Sequence, residues 1–324
     1  MGEPAYRANQ VWQAIYCQKV TAIGEITTLP AAFRQRIDAA YLLNTLQPAV
    51  TVKSSDHQTE KQLFVTPDGR KLETVWMKYT DRDTLCISTQ SGCAMGCVFC
   101  ATGQMGFSRN LTAGEIVEQV LFYERQLNLI GRKVTNIVFM GMGEPFHNYD
   151  EVMKAIRTLN DAAGYNFGAR RMTISTVGII PQILRFAQEQ SQVNLAVSLH
   201  AVDDESRSKM MPVNRKYPID ELLAACREYV DTTHRRISFE WALIEEINDD
   251  AATARKLAVK LKGLLCHVNL IQLNPTRQFS GRGSNRDRAQ DFMQVLQKAG
   301  IPVSIRLRRG IDINAGCGQL ASSE

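Results

Sequence analysis

From Thr84 onward, short β-branched apolar runs alternate with longer stretches in which apolar residues return every three or four positions. The runs are TLCIST, TNIVFMG, MTISTVG, VNLAVSLH, RRISFEWALI, HVNLIQLNP and VSIRLRR; TAGEIVEQVLFYERQ and PIDELLAACREYV typify the stretches between them. The first kind reads as strands and the second as amphipathic helices. Strands that alternate with helices predict a parallel sheet joined by right-handed crossovers. Six strand–helix units and a seventh strand fall short of the eightfold closure of a full barrel. The expected fold class is therefore α/β, a partial (β/α)6 barrel that stays open.

The first 80 residues follow a different pattern. An amphipathic helical stretch runs from Ala5 to Tyr16, and a second begins after Leu29-Pro30. KQLFVT and KLETVWMKY then flank Pro67-Asp68-Gly69. Proline presets a turn and glycine accepts positive φ, so this segment reads as a hairpin. The expected organisation is a small module of helices plus a β-hairpin over residues 1–80, followed by a catalytic domain over residues 81–324.

No apolar run approaches the ~20 residues that a membrane helix needs, and MGEPAYRANQ has no secretory h-region. A cytoplasmic location, away from membranes, is the expectation, with thiols kept reduced. The eight cysteines then read as metal ligands or reactive thiols rather than a disulfide framework. The net charge of +5 is modest, but the arginines cluster. Arg170-Arg171, Arg235-Arg236 and the trio Arg306, Arg308, Arg309 fall near strand ends, while Arg277, Arg282, Arg286 and Arg288 bracket a Gly/Ser-rich loop. Such groups suit a polyanion; solvated surface faces explain any single one equally well.

The polar residues at the strand ends carry the chemistry. Cys93, Cys97 and Cys100 follow the first strand and Glu144 the second; Ser175 lies in the third, Ser198 and His200 end the fourth, and Asn274 ends the sixth. All would converge on the carboxyl-terminal rim, where parallel α/β folds build their sites. Three thiolates can hold three irons of a cubane cluster and leave the fourth open. Structural zinc is the rival reading; it wants four protein ligands, and His147 or His200 could complete such a set. In FMGMGEP the glycines allow close approach of a ligand to the backbone, and Glu144 offers an acceptor for an amino group.

Cysteines spaced x3 then x2, with Phe99 before the last, match the radical S-adenosylmethionine signature. CISTQSGCAMGCVFCATGQMGF, FMGMGEP, MTISTVGIIP, VNLAVSLHA, NLIQLNPT and GIDINAGCGQL extend the match from about Leu72 to Leu320. Over this span the chain resembles the RlmN/Cfr family of RNA adenine methyltransferases. The resemblance implies a 4Fe-4S cluster on Cys93, Cys97 and Cys100. It implies S-adenosylmethionine contacts from Gly143, Glu144, Ser175, Ser198, Leu199, His200 and Asn274. Cys317 would carry the methyl group, Cys86 would be its thiol partner in a transient disulfide, and Glu73 would remove a ring proton. RNA (23S rRNA and tRNA), an electron donor and a thiol reductant are the implied partners of a monomeric enzyme, with residues 1–80 docking the RNA.

Without that resemblance Cys86 would be a small buried hydrophobe in an alternating strand, Cys317 an incidental thiol in a glycine loop, and Glu73 a solvated hairpin carboxylate. Cys17, Cys226 and Cys266 match no motif and read as packing residues. Carbon 2 of adenine is the expected target, with carbon 8, as in the Cfr branch, as the alternative. A zinc-stabilised RNA-binding protein without catalysis is the alternative of another class.

Overall fold

The computed structural model describes residues 2–321. Its strands are β1 (Gln47–Lys53), β2 (Thr59–Val65), β3 (Lys71–Lys78), β4 (Asp83–Cys86), β5 (Gln90–Gly92), β6 (Phe107–Asn110), β7 (Asn136–Phe139), β8 (Met172–Thr176), β9 (Asn194–Ser198), β10 (Ile237–Leu243), β11 (Cys266–Gln272) and β12 (Val303–Ile305). The helices are α1 (Ala5–Gln13), α2 (Ala31–Ala40), α3 (Ala101–Met105), α4 (Ala113–Asn128), α5 (Tyr149–Asn160), α6 (Ile180–Gln188), α7 (Asp204–Met210), α8 (Ile219–Thr233), α9 (Ala251–Leu261) and α10 (Arg286–Lys298).

One sheet of ten strands runs in the order β1-β2-β3-β4-β7-β8-β9-β10-β11-β12. From β4 to β12 every pairing is parallel; from β1 to β4 every pairing is antiparallel. The seven parallel strands are those expected from the β-branched runs, and the sheet ends at β12 without pairing back to β4. Because strand side chains alternate, Ile137, Phe139, Ile174, Leu195, Val197, Phe239, Trp241, Val268 and Leu270 all point outward into the helical layer and are essentially inaccessible. Burying each contributes roughly 1.5–3 kcal/mol. Their neighbours Asn136, Thr173, Ser175, Asn194, Ser198, Glu240 and Asn269 face the lumen. A closed barrel fills that space with branched apolar side chains; this one leaves it polar and hollow.

The hairpin at Pro67-Asp68-Gly69 forms as β2–β3, and it joins the barrel sheet through β3–β4. Arg109 fixes its turn. The guanidinium donates to both Asp68 carboxylate oxygens (2.7 and 3.0 Å) and to both of Glu115 (2.7 and 2.9 Å). Glu115 in turn closes a capping box with Thr112 at the start of α4. Strand β1 was not expected. All its side chains are exposed, so no buried face writes a period-two apolar pattern, and backbone pairing with β2 alone defines it.

Helices α1 and α2, a π-helical turn at Ala14–Gln18 and the loop between enclose a small separate core of Ala14, Val20, Ile23, Ile26, Leu29, Phe33 and Ile37. Cys226 and Cys266 are buried packing residues, as read from sequence. Cys17 is not: it is exposed, and its thiol donates to the Gly164 carbonyl at 3.1 Å.

Candidate active site at the carboxyl end of the barrel

The loop between β5 and α3 presents the three clustered cysteines. Cys93 follows β5 directly and its N–H donates to the Gly106 carbonyl (2.9 Å); the Cys100 N–H donates to the Cys97 carbonyl (3.1 Å). Gly96 takes φ +63°, a conformation that side chains resist. Cys97 packs with Ala201, Met210, Met211, Ala242, Ile244 and Leu273, so the loop is held from below by apolar contacts. That burial pushes the Cys93 thiol up to about 12 and the Cys97 thiol well above its ordinary value. Thiolates here need a bound group that brings its own positive charge.

Among the described residues, no three His, Cys, Asp or Glu side chains converge closely enough to hold one metal ion. Beyond burial, Cys100 nevertheless lies near enough to add to the rise of the Cys93 and Cys97 thiols, and Cys93 to that of Cys97, and three thiolates suit attachment to three irons of a cubane. The imidazoles point the same way. His147 pairs through Nδ1 with Gln90 Nε2 at 3.0 Å and packs on Phe107, outside the cavity. His200 Nδ1 accepts from the Ala242 N–H at 2.9 Å, and burial and then Arg207 lower its pKa to about 3. The three-thiol donor set fits an iron–sulfur cluster.

Glu144 sits where β7 turns into a short 3-10 helix. Gly143, at φ +101°, lies so close to Gln90 that a Cβ would collide with that side chain. The Glu144 carboxylate accepts from the Phe146 N–H (3.0 Å) and the Val177 N–H (2.8 Å). Burial nonetheless raises its pKa to about 7, opposed by these bonds and one from Thr176. A cationic amino group beside it would restore the carboxylate.

A cavity of about 150 Å³ opens above the strands and collects Gly143, Glu144, Ser175, Ser198, His200, Asn274, Cys97, Cys100 and Cys317 in its wall. Leu199 does not line it: fully buried, it donates to the Glu240 carbonyl (3.1 Å) and accepts from Arg207 Nε (3.0 Å). Cys93 also lies outside the wall. Arg207, itself 0% exposed, ties the rim together by donating to the carbonyls of Leu199, Ser198 and Val177.

Cys317 also lines a second, narrow cavity of about 40 Å³, together with Cys86, Met77, Met140 and Arg306. Its loop is anchored by the Asn274 side-chain amide, which donates to the Cys317 carbonyl at 3.1 Å. The residue as a whole is exposed, but protein crowds the thiol and burial raises its pKa; all eight cysteines are free. Burial pushes Cys86 up to about 12; the nearby Cys317 adds to this and Arg306 opposes it.

Glu73, which the resemblance makes the base, is not the solvated hairpin carboxylate of the alternative reading. It is 1% exposed, its Oε1 lies 2.9 Å from Lys61 Nζ, and its Oε2 accepts from the Ala321 N–H at 3.0 Å. It therefore lies under the segment that carries Cys317. Sequence reasoning missed Glu240, Arg207 and the role of Arg306. Glu240 is a lone acid in an apolar strand, and Arg306, just past the end of β12, reads in the sequence as one cluster with Arg308 and Arg309.

A family model described as the radical SAM superfamily matches residues 87–258. A protein of Myxococcus xanthus named dual-specificity RNA methyltransferase RlmN 1 is 46% identical over 318 positions, covering 98% of this chain and 89% of its own length. A Chloroflexus aurantiacus protein named probable dual-specificity RNA methyltransferase RlmN is 47% identical over 331 positions, covering 99% and 88%. The crystal structure of a radical SAM methyltransferase from Sphaerobacter thermophilus superposes with a TM-score of 0.97 at 50% identity, over 99% of this chain and 94% of that one.

Proposed function

The chain belongs to the RlmN family of dual-specificity RNA methyltransferases within the radical SAM superfamily, and on that premise we propose that it methylates carbon 2 of an adenine in 23S ribosomal RNA and in transfer RNA. The observation that carries the reading is the position of Cys317 in the walls of two cavities, one shared with Cys97, Cys100 and Glu144 and the other with Cys86. A sulfur so placed can receive a group on one side and be relieved of it on the other.

Cys93, Cys97 and Cys100 would hold a 4Fe-4S cluster. Gly143, Glu144, Ser175, Ser198, His200 and Asn274 would hold S-adenosylmethionine, with Leu199 fixing its two neighbours from the core. When bound, these groups supply the methyl group and the one-electron chemistry that an electron-poor ring carbon requires. Cys317 would then carry the methyl carbon to the base as a covalent protein–RNA thioether, one methyl hydrogen and one electron passing to the bound groups as the carbon–carbon bond forms. Glu73 accepts the ring proton, for which the segment around Ala321 must release its carboxylate. Cys86, as thiolate, attacks the Cys317 sulfur: the S–S bond forms, the S–CH2 bond breaks, and its electron pair passes to the new methyl carbon, which takes a proton. A two-electron thiol reductant afterwards reopens the disulfide.

Residues 1–80 would dock the RNA, although only Ala14 to Ile37 have a core of their own and Leu46, Phe64, Leu72, Val75 and Met77 of the hairpin region join the main core. No helix of the described residues is long and apolar enough to cross a membrane. The test is mass analysis of adenosines from RNA incubated with holoenzyme, reductant and S-adenosylmethionine. The expected product is 2-methyladenosine; 8-methyladenosine would move the chain to the other branch, and unmodified RNA would remove the reading.

A further inference from the structure

At the end of the barrel away from the cysteine loop, the lumen widens into a chamber of about 870 Å³, within the ~300–1,000 Å³ typical of ligand sites. Each of the seven parallel strands contributes a polar side chain, from Thr84 on β4 round to Ser304 on β12. Its mouth is cationic: Arg82 immediately precedes β4 and Arg235-Arg236 immediately precede β10, with Arg306 deeper on the wall. Glu240 is the single acid.

The partners of these charges are uneven. Arg235 is tied to Gln192 and Asn194, and Arg82 lies on the Tyr79 ring at 4.3 Å. No hydrogen bond or ion pair engages the Arg236 side chain among the described residues. Glu240 is 4% exposed; its Oε1 accepts from Asn269 Nδ2 at 2.9 Å, while its Oε2 has no partner. A buried acceptor without a donor is costly and marks a place where a ligand donor belongs. Glu240 also lines the cofactor cavity, and Arg306 also lines the Cys86–Cys317 cavity. The ceiling of the chamber is thus the floor of the reaction site.

Cations at the mouth, a hydrogen-bond acceptor at the ceiling and polar walls between them suit an unstacked nucleotide, phosphate outward and base inward. We propose that this chamber admits the substrate adenosine of the RNA from the side opposite the cysteine loop, with Glu240 accepting the exocyclic amino group and Arg236 meeting a flanking phosphate. The inference rests on the RNA-methyltransferase reading and adds the entry face and the base-reading residue. A guanine would turn its carbonyl oxygen toward the Glu240 carboxylate and be rejected by unpaired, repelling acceptors.

Two arms test it on the holoenzyme. In the first, binding of a fluorescent RNA hairpin with a single-stranded adenine loop is followed across salt concentrations. Arg236→Gln should weaken binding and lower the log–log salt slope by ~0.7–0.9, the loss of one phosphate contact, with S-adenosylmethionine affinity unchanged. In the second, the loop adenosine is replaced by purine riboside, which lacks the amino group. The wild type should lose about tenfold in kcat/KM on that RNA, whereas Glu240→Ala should treat both RNAs alike; S-adenosylmethionine binding and thermal midpoint report whether the variants are folded.

An unchanged salt slope in Arg236→Gln, or retained discrimination in a Glu240→Ala variant with the wild-type thermal midpoint, would each overturn the proposal. Failure of the wild type to methylate the adenosine hairpin would instead count against the functional reading, and the binding arm would still decide the entry face.

Discussion

Lys61 Nζ lies 2.9 Å from Glu73 Oε1, both side chains are almost fully buried, and the pair spans neighbouring strands of the hairpin. Lys61 also donates to the Asn314 carbonyl at 3.3 Å, so one ammonium joins the hairpin to the segment bearing Cys317. Removing it strands a buried carboxylate, a change that costs about 3–5 kcal/mol. Lys61→Met should therefore lower unfolding stability by that amount in urea titrations, and the double variant with Glu73→Leu should recover most of it. A loss below about 1 kcal/mol would show that the pair is solvated in solution.

In the proposed cycle Cys317 captures the base and Cys86 releases it. With Cys86→Ala the base should still be captured, but nothing can cut the thioether. An RNA–protein adduct should accumulate as a slow band on a denaturing gel, collapsing on nuclease treatment. Cys317→Ala should give neither adduct nor product. Ordinary turnover by Cys86→Ala, with no adduct, would assign release to another group.

Release should also depend steeply on pH. Cys86 is pushed up to about 12 by burial, against an ordinary value near 9, so the thiolate is a minor species at neutrality. The rate of adduct decay in a single turnover, and of Cys86 alkylation, should rise about tenfold per pH unit from 7 to 9 without a plateau. The linked stability runs the opposite way: a thiol whose folded pKa is raised stabilises the fold fully below about 9, and that contribution is lost as pH climbs toward 12. A plateau of the alkylation rate below pH 9 would mean that the thiol is activated rather than suppressed.

The seven parallel strands were legible because each is a β-branched run bounded by helix-period segments, and the rim site followed because polar residues cluster at the strand ends. What was not legible depends on partners remote in sequence. Glu73 looks like a surface carboxylate until Lys61 and Ala321, 248 residues away, close over it. Glu240 is visible as a polar residue in a strand, but alternation does not say which face of a strand looks into a hollow lumen, and Arg306 follows β12, where no periodicity assigns it a face. β1 left no signal because it buries no side chain.

Arg207 is a further case, a fully buried guanidinium holding three carbonyls where β8 and β9 end. Burial lowers its pKa to about 10, still well above neutrality. Arg207→Met would leave those carbonyls and Asn214 without their donor, at a cost of about 1–3 kcal/mol for each group that stays unpaired. We expect a fall in thermal midpoint together with loss of S-adenosylmethionine affinity, because Ser198 and His200 lose their frame. Full affinity in a destabilised variant would separate the scaffold from the site.

In the proposed reaction the hydrogen on one adenine ring carbon gives way to a methyl group delivered through Cys317. The most direct measurement uses RNA carrying deuterium at carbon 2 of the target adenine, with the label followed by mass analysis after reaction. One deuterium should be lost for each methyl gained. Retention of that label in methylated product, whether the methyl resides at carbon 8 or on a nitrogen, would contradict it.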